Sequence, residues 1–454
     1  MLSGSGHDAC LVAVLPFRCH TLSVEPFDAS TRPQRVQRPP HDRLDGSGRE
    51  NFNLPSIVAS SKHSLVVLSE RLPLGGTATF VLNICDGMKH SAKWSCVAAG
   101  LLGKGEIGEQ IQSAGLEIIS PSPSDLLHED RIEAIYRECS RLGTRAVAAG
   151  LGSGSFDFLR YVPPGCLRIG MIQSDDECVY RLVETYLPWL DIVVGVSEEI
   201  RRKMLARLTD GRVSVYAQQY GVPMPARISE FPAEGPLRVL YLGRVIEEQK
   251  RVGLMEQVMR RTLESGVKIH WTIAGDGPEL PGMQARFAEV PDKVRFLGAV
   301  PYCDVPTTIA GHEVYFLCSD FEGLPLSLLE SMGHGLVPVV TDLTSGISEV
   351  VHENNGIRIS PDDVAGYAEA LISLARDRRR LAGLSGAAAS EVTSSHSTHA
   401  MARRWEAMLD AHLSDAIPDW KASCRAMAPM EVSHRWQFHP TLRPLRKLVK
   451  SLRC

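Results

Sequence analysis

The sequence predicts an α/β protein made of two doubly wound parallel-sheet domains facing a cleft, with C-terminal helices packing back on the first domain. Three observations carry this. The chain of 454 residues exceeds the roughly 250–300 residues at which a single hydrophobic core stops growing. Short apolar runs alternate with helical periodicities, the pattern of a parallel sheet covered on both faces. The alternation breaks once, over the Pro- and Gly-containing stretch 221–236, and then resumes.

Residues 1–61 are rich in Ser, Pro, Arg and Gly, and Thr31–Arg49 is almost without apolar side chains. Such a segment cannot offset its ordering entropy and reads as a disordered leader. The first domain is expected over 62–220. Strands fall at Ser64–Ser69, Trp94–Ala99, Glu117–Ser120, Ala146–Gly150, Leu167–Gln173 and Asp191–Val196. Helices fall at Ala78–Met88, Glu106–Ala114, Asp130–Leu142 and Glu177–Tyr186, and Ser197 opens another with Glu198 and Glu199 in its first turn. The interdomain linker is 221–236 and the second domain 237–397. There the strands are Arg238–Leu242, Lys268–Ala274, Val294–Leu297, Val314–Cys318, Val337–Thr341 and Gly356–Ile359. The helices are Gly253–Ser265, one ending at Phe287, a short one near Val305, Leu324–Gly333 and 363–377. A further amphipathic helix at 398–412 places Met401, Trp405 and Leu409 on one face, and the segment 398–415 is read as crossing back to the first domain. The tail 416–454 is basic, with eight Lys or Arg against one acid, Glu431, after Trp420.

Hydrophobic residues at 44% and charged residues at 22% are ordinary for a globular chain, and a net charge of -4 gives no field for nucleic acid. Eleven cysteines without a CxxC pair read as buried thiols in a reducing compartment, so the expected location is cytoplasmic. The longest apolar runs, such as Leu65–Leu68 and Ile192–Val196, fall far short of a membrane span.

The chemistry concentrates in Asp320-Phe-Glu-Gly-Leu-Pro-Leu-Ser-Leu-Leu-Glu-Ser-Met-Gly-His-Gly335. This run resembles the Glu-x7-Glu motif of retaining GT-B glycosyltransferases of family four. Tyr241-Leu-Gly-Arg244 with Gln249-Lys250 resembles that family's phosphate-gripping loop, and Ile273-Ala-Gly-Asp-Gly-Pro278 its second-strand turn. Gly346-Ile-Ser-Glu349 and Asn355-Gly356 fall where the family places their counterparts. Agreement in order and spacing covers about 237–375 and is looser in the first domain, through Gly75-Gly76-Thr77 and Asp191–Ser197. The resemblance implies a GT-B fold of two Rossmann-like domains.

Gly323, Leu324 and Pro325 stand at a helix start, where unpaired N–H groups and the dipole suit a pyrophosphate. Glu322 would accept hydrogen bonds from donor-sugar hydroxyls and Glu330 from the ribose. Arg244 and Lys250 would neutralise the leaving diphosphate without a metal, no Asp-x-Asp cluster or His/Cys spacing being present; Arg251 reads as part of a solvated face. Gly275 permits a tight turn, and the resemblance places the nucleobase near Gly298–Val300. Gly346 is a further donor contact, with Glu349 on the same face. On the acceptor side stand Gly75, Gly76, Gln173 and Asp175. Relatives carry a histidine where this chain has Gln173, so either Asp175 takes part or no side-chain base is required. His334 reads as a packing residue, and loops such as Gly152–Tyr161 as the seat of specificity.

The expected activity is hexosyl transfer, with retention, from a nucleotide diphosphate sugar to a glycan or lipid-linked acceptor in cell-surface or extracellular polysaccharide biosynthesis. The sugar nucleotide is a co-substrate and no cofactor is expected. The alternatives are a GT-B nucleotide-sugar epimerase and a catalytically inactive sugar-nucleotide-binding partner. The tail, in which Leu alternates with Arg and Lys, reads either as a membrane-surface helix or as a helix packed across the first domain with a solvated basic end.

Overall fold

The computed structural model describes residues 62–124, 127–150, 152–209, 211–228, 234–421, 424–427, 429–430 and 439–451. The leader expected over 1–61 lies outside the described residues. Seven parallel strands form the first sheet: β1 (His63–Ser69), β2 (Trp94–Gly100), β3 (Ile118–Ile119), β4 (Ala146–Ala149), β5 (Leu167–Ile172), β6 (Ile192–Gly195) and β7 (Ser214–Ala217), in the order β3-β2-β1-β4-β5-β6-β7. Six form the second: β8 (Leu237–Leu242), β9 (Ile269–Ala274), β10 (Val294–Gly298), β11 (Val314–Leu317), β12 (Val337–Thr341) and β13 (Ile357–Ile359), in the order β10-β9-β8-β11-β12-β13. Val66 and Val67 of β1 and Val239 and Leu240 of β8 are wholly buried, as helices on both faces require.

The strand order reverses beside β1 in one sheet and beside β8 in the other. A crevice opens at such a point, outside the carboxyl ends of the diverging strands. The loops leaving β1, β4, β8 and β11 therefore carry Gly75, Gly150, Arg244 and Glu322 toward one cleft.

The link back to the first domain is made by helix Thr398–His412, N-capped by Ser397. Its Trp405 packs 6.1 Å from Phe80, which in turn lies 5.1 Å from Tyr220. The Asn83 amide donates to the Gly221 carbonyl at 2.9 Å, and Val222 bridges to Ser397. The second core is closed by Trp271, Phe316 and Tyr367, with Phe316 in ring contact with both others.

Three elements were not legible in the pattern. Arg378–Ser395 is a continuous helix, capped by Asp377, whose Ala-, Gly- and Ser-rich sequence gives a blurred apolar stripe. β7 is only four residues long. Within the expected loop Gly152–Tyr161, Ser153–Phe158 is helical. The basic tail also differs from a solvated end: in helix Arg443–Ser451, Arg443 pairs with Asp130 at 2.8 Å and with Glu133 at 2.7 Å, and Arg446 pairs with the buried Glu129. Leu445, Leu448 and Val449 are left exposed. Among the described residues no helix is long and apolar enough to cross a membrane.

Trp405→Ala removes the aromatic anchor of the returning helix. Denaturant unfolding should show a loss of about 3–5 kcal/mol, the usual cost of truncating a buried Trp; a loss well under 1 kcal/mol would mean the helix is held elsewhere.

Candidate functional site

One half of the candidate site is built on three turns leaving β8, β9 and β10. Gly243 N–H donates to the Ala274 carbonyl at 3.0 Å and Gly275 N–H to the Gly298 carbonyl at 2.8 Å. Gly275 has φ 147°, and a Cβ there would stand 1.8 Å from the Gly243 carbonyl oxygen, so only glycine fits. Its role is to let the turns touch. Gly298, at φ 68°, has open space where a side chain would be, and Val300 packs half-buried beside it. A flat ring could approach that backbone without obstruction.

Arg244 is exposed at the mouth of this surface, and its guanidinium donates to Gln249 Oε1 at 2.6 Å. The Gln249 amide donates onward to the Phe321 carbonyl at 3.0 Å, and the Gln249 carbonyl accepts from Asp320 N–H at 2.9 Å. Gln249 thus ties the arginine's loop to the segment before Glu322. Gln249 carries no role in the motif by itself; its place directly before Lys250 is the signal that marks it. Lys250 Nζ and the Glu322 carboxylate form an ion pair with little exposure on either side.

Helix Leu326–Gly333 begins after Pro325 with no side-chain cap, leaving its first N–H groups available to an anion. Glu330 lies on this helix. Its carboxylate has no hydrogen-bond or ion-pair partner among the described residues. Protein atoms surround it closely enough that burial pushes its carboxyl up to about 7, although some surface reaches the cleft. His334 is held by the Glu330 carbonyl at 2.9 Å and packs, as its sequence context suggests.

The two halves meet at Gly323, where a Cβ would lie 2.9 Å from the Gln173 carbonyl oxygen and equally near Val196. Gly346 N–H donates to the Gly323 carbonyl at 2.8 Å, so Gln173, Gly323 and Gly346 form one contact. Across the cleft Gly76 faces Leu326, and Gly75, at φ 141°, borders open space. The Gln173 side chain is 8% exposed, and neither amide atom makes a well-formed hydrogen bond. It nevertheless tempers the burial that pushes up the neighbouring Tyr220 phenol. A buried polar group without a partner costs about 1–3 kcal/mol, which suits a place reserved for a polar ligand.

Asp175 is engaged otherwise: it accepts from Tyr180 Oη at 2.8 Å and from Lys203 Nζ at 2.5 Å. Glu349 joins the domains, accepting from Glu199 N–H at 3.1 Å and from the Gln219 amide at 2.8 Å. Arg251 lies on a largely exposed face, as expected, but is paired there with Asp320 and Asp362. Among the described residues no cluster of three or more His, Cys, Asp or Glu is disposed to hold a metal ion.

Residues 236–377 match the family described as glycosyl transferases group 1. The lipopolysaccharide 1,6-galactosyltransferase of Escherichia coli K12 is 28% identical over 196 residues, 41% of this chain and 53% of that protein. The glycogen synthase of Mycobacterium tuberculosis is 31% identical over 176 residues, 38% of this chain and 41% of that protein. The chain spans about half the length of the curated relatives it matches. Among solved structures, Anabaena Alr3699/HepE in complex with UDP superposes with a TM-score of 0.61 at 12% identity, over 77% of this chain and 100% of that one. The lipopolysaccharide outer core galactosyltransferase WaaB gives 0.55 at 17%, over 77% and 99%. The fold is GT-B.

In this GT-B cleft the raised carboxyl of Glu330 makes its ionised form the minority below about pH 7. A hydroxyl donating to Glu330 is held more strongly by the carboxylate than by the acid, whose carbonyl oxygen still accepts, so apparent affinity falls as the proton is taken up. Titration with a nucleotide diphosphate sugar should show binding weaker at pH 6 than at pH 8 by up to about tenfold, and Glu330→Gln should flatten the profile. Equal wild-type affinity at the two pH values would rule the contact out.

Proposed function

We propose that the chain is a glycosyltransferase that moves a hexose from a nucleotide diphosphate sugar to a glycan or lipid-linked acceptor, with retention, in polysaccharide biosynthesis. The observation that carries this reading is the Lys250–Glu322 pair, with Arg244 beside it, at the uncapped start of helix Leu326–Gly333. The match over 236–377 supports it, as do the polysaccharide-building relatives and the solved neighbours that hold UDP.

The diphosphate sits on the helix N-terminus, with Arg244 and Lys250 against the oxygens that gain charge as the bond breaks. Glu322 then has two partners: the ammonium of Lys250 and the sugar hydroxyls. Glu330 takes the ribose and the Gly298–Val300 backbone the base, while Gly346, its N–H bound to the Gly323 carbonyl, fixes the loop that meets the sugar or phosphate. On the other side Gly75, Gly76 and the Gln173 amide hold the acceptor. The acceptor oxygen bonds to the anomeric carbon on the face from which the phosphate oxygen departs. Its proton passes to that phosphate oxygen, so no side-chain base is needed, in keeping with an Asp175 already occupied by Lys203. Two fixed cations perform the charge neutralisation, and no cofactor enters.

The proposal sets this work at the cytoplasmic face of a membrane, and the exposed apolar residues of helix Arg443–Ser451 support contact with a membrane surface. Leu445, Leu448 and Val449 form an apolar stripe bordered by exposed Lys450. Flotation with anionic vesicles should recover the full chain and lose the chain lacking 435–454; equal recovery would remove the membrane from the proposal.

Thermal-shift measurement against UDP-, GDP- and ADP-sugars should single out one donor by mass action. With it, Arg244→Ala should lower kcat/KM by about 10²–10³, and NMR should show a product that keeps the donor's anomeric configuration. Unchanged turnover in Arg244→Ala, or an inverted product, would overturn the reading.

A further inference from the structure

Among the described residues only two that are not glycine hold a left-handed backbone, Arg251 at φ 52° and Asp362 at φ 63°. They are 111 positions apart, and their side chains meet: Arg251 Nη2 lies 2.5 Å from Asp362 Oδ1. The other arm of the same guanidinium, Nη1, lies 2.5 Å from Asp320 Oδ1. L side chains avoid this region of backbone space, and glycine is the usual occupant. Arginine stands here instead.

The backbone at Arg251 ends one helix and starts the next. Its N–H donates to the Glu247 carbonyl at 3.1 Å, and its carbonyl accepts from Leu254 and Met255 at 3.0 Å each. Lys250 is the preceding residue, and Asp320 stands two residues before Glu322. The carbonyls of Lys250 and Arg251 both face the Cys318 thiol at the end of β11. Arg251 therefore grips, from behind, the two loops that bring Lys250 and Glu322 together, and it ties both to the turn after β13. The side chains are 28%, 44% and 70% exposed for Arg251, Asp320 and Asp362. Ion pairs so exposed add little to global stability. Strain kept without a return in stability is a mark of positioning at a functional site.

We propose that Arg251 is a positioning residue of the donor site: its paired arms to Asp320 and Asp362 hold the Lys250 turn and the Glu322 loop in register, so that the two side chains meet the donor preformed. This rests on the donor-site reading above. Lysine cannot substitute, because a single ammonium does not reproduce a fork spanning two carboxylates.

The test uses the full chain carrying Arg251→Gly, which adopts φ 52° without strain. Its melting temperature should equal or exceed wild type, while hydrogen exchange of amides 319–323 speeds up. The donor identified by thermal shift should show a KM raised about tenfold, with kcat lowered as well. Asp362→Asn tolerates the same backbone, removes one of the two ion pairs, and should fall between the two; it also serves if the glycine variant folds poorly. Arg251→Lys should not restore KM. Wild-type exchange at 319–323 together with wild-type KM in Arg251→Gly would overturn the proposal. Faster exchange in a chain that binds no sugar nucleotide at all would instead uphold the grip and defeat the donor-site reading.

Discussion

The close approach of the Gly323 backbone to the Gln173 carbonyl is the contact on which the cleft depends. A Cβ at Gly323 would lie 2.9 Å from that oxygen, and one at Gly346 would lie 2.5 Å from the Gly323 oxygen. The missing side chains let the loop after β11, the turn after β12 and the end of β5 share one small space. Glu322 directly precedes this contact in the chain, helix Leu326–Gly333 follows it, and Gln173 forms its other side. Side chains at these glycines would push the two sheets apart and separate the loop after β11 from the end of β5.

Electrostatics in the cleft are divided between groups already paired and groups left waiting. Lys250 is neutralised by Glu322, Asp175 by Lys203, and Arg251 by Asp320 and Asp362. Glu330 has no such partner, and the buried Gln173 amide has only a loose contact with the Tyr220 hydroxyl. In a low-dielectric crevice an unpaired polar group is costly, and the cost is recovered when a ligand supplies the missing hydrogen bond. Glu330 belongs to one domain and Gln173 to the other, and Glu349 joins the domains through Glu199 and Gln219.

Legibility in the sequence followed the range of the interactions. Strands such as β1 and β8 announced themselves because four or more consecutive apolar residues serve a sheet buried on both faces. Helix Arg378–Ser395 did not, because Ala, Gly and Ser pack closely without producing a strong apolar period. Glu322, Glu330, Arg244 and Lys250 stood out through short spacings around one helix and one turn. Gln249 lay in plain view in the same turn, but its partner Phe321 is 72 residues away. Arg251 looked like half of an exposed basic doublet, and its two aspartates are 69 and 111 residues distant.

The sequence by itself determined the α/β alternation, the interruption near 221–236, the amphipathic face of helix 398–412, and the short spacings that single out residues of the second domain. These follow from local propensity and periodicity, which act over a few residues. The tertiary structure alone decided which side chains are paired and with what: that Asp175 is held by Lys203, that the tail's arginines neutralise Glu129, Asp130 and Glu133, and that Arg251 joins two aspartates far away in the sequence. Those outcomes depend on where two separately folded sheets bring their loops together. No short-range pattern encodes that distance.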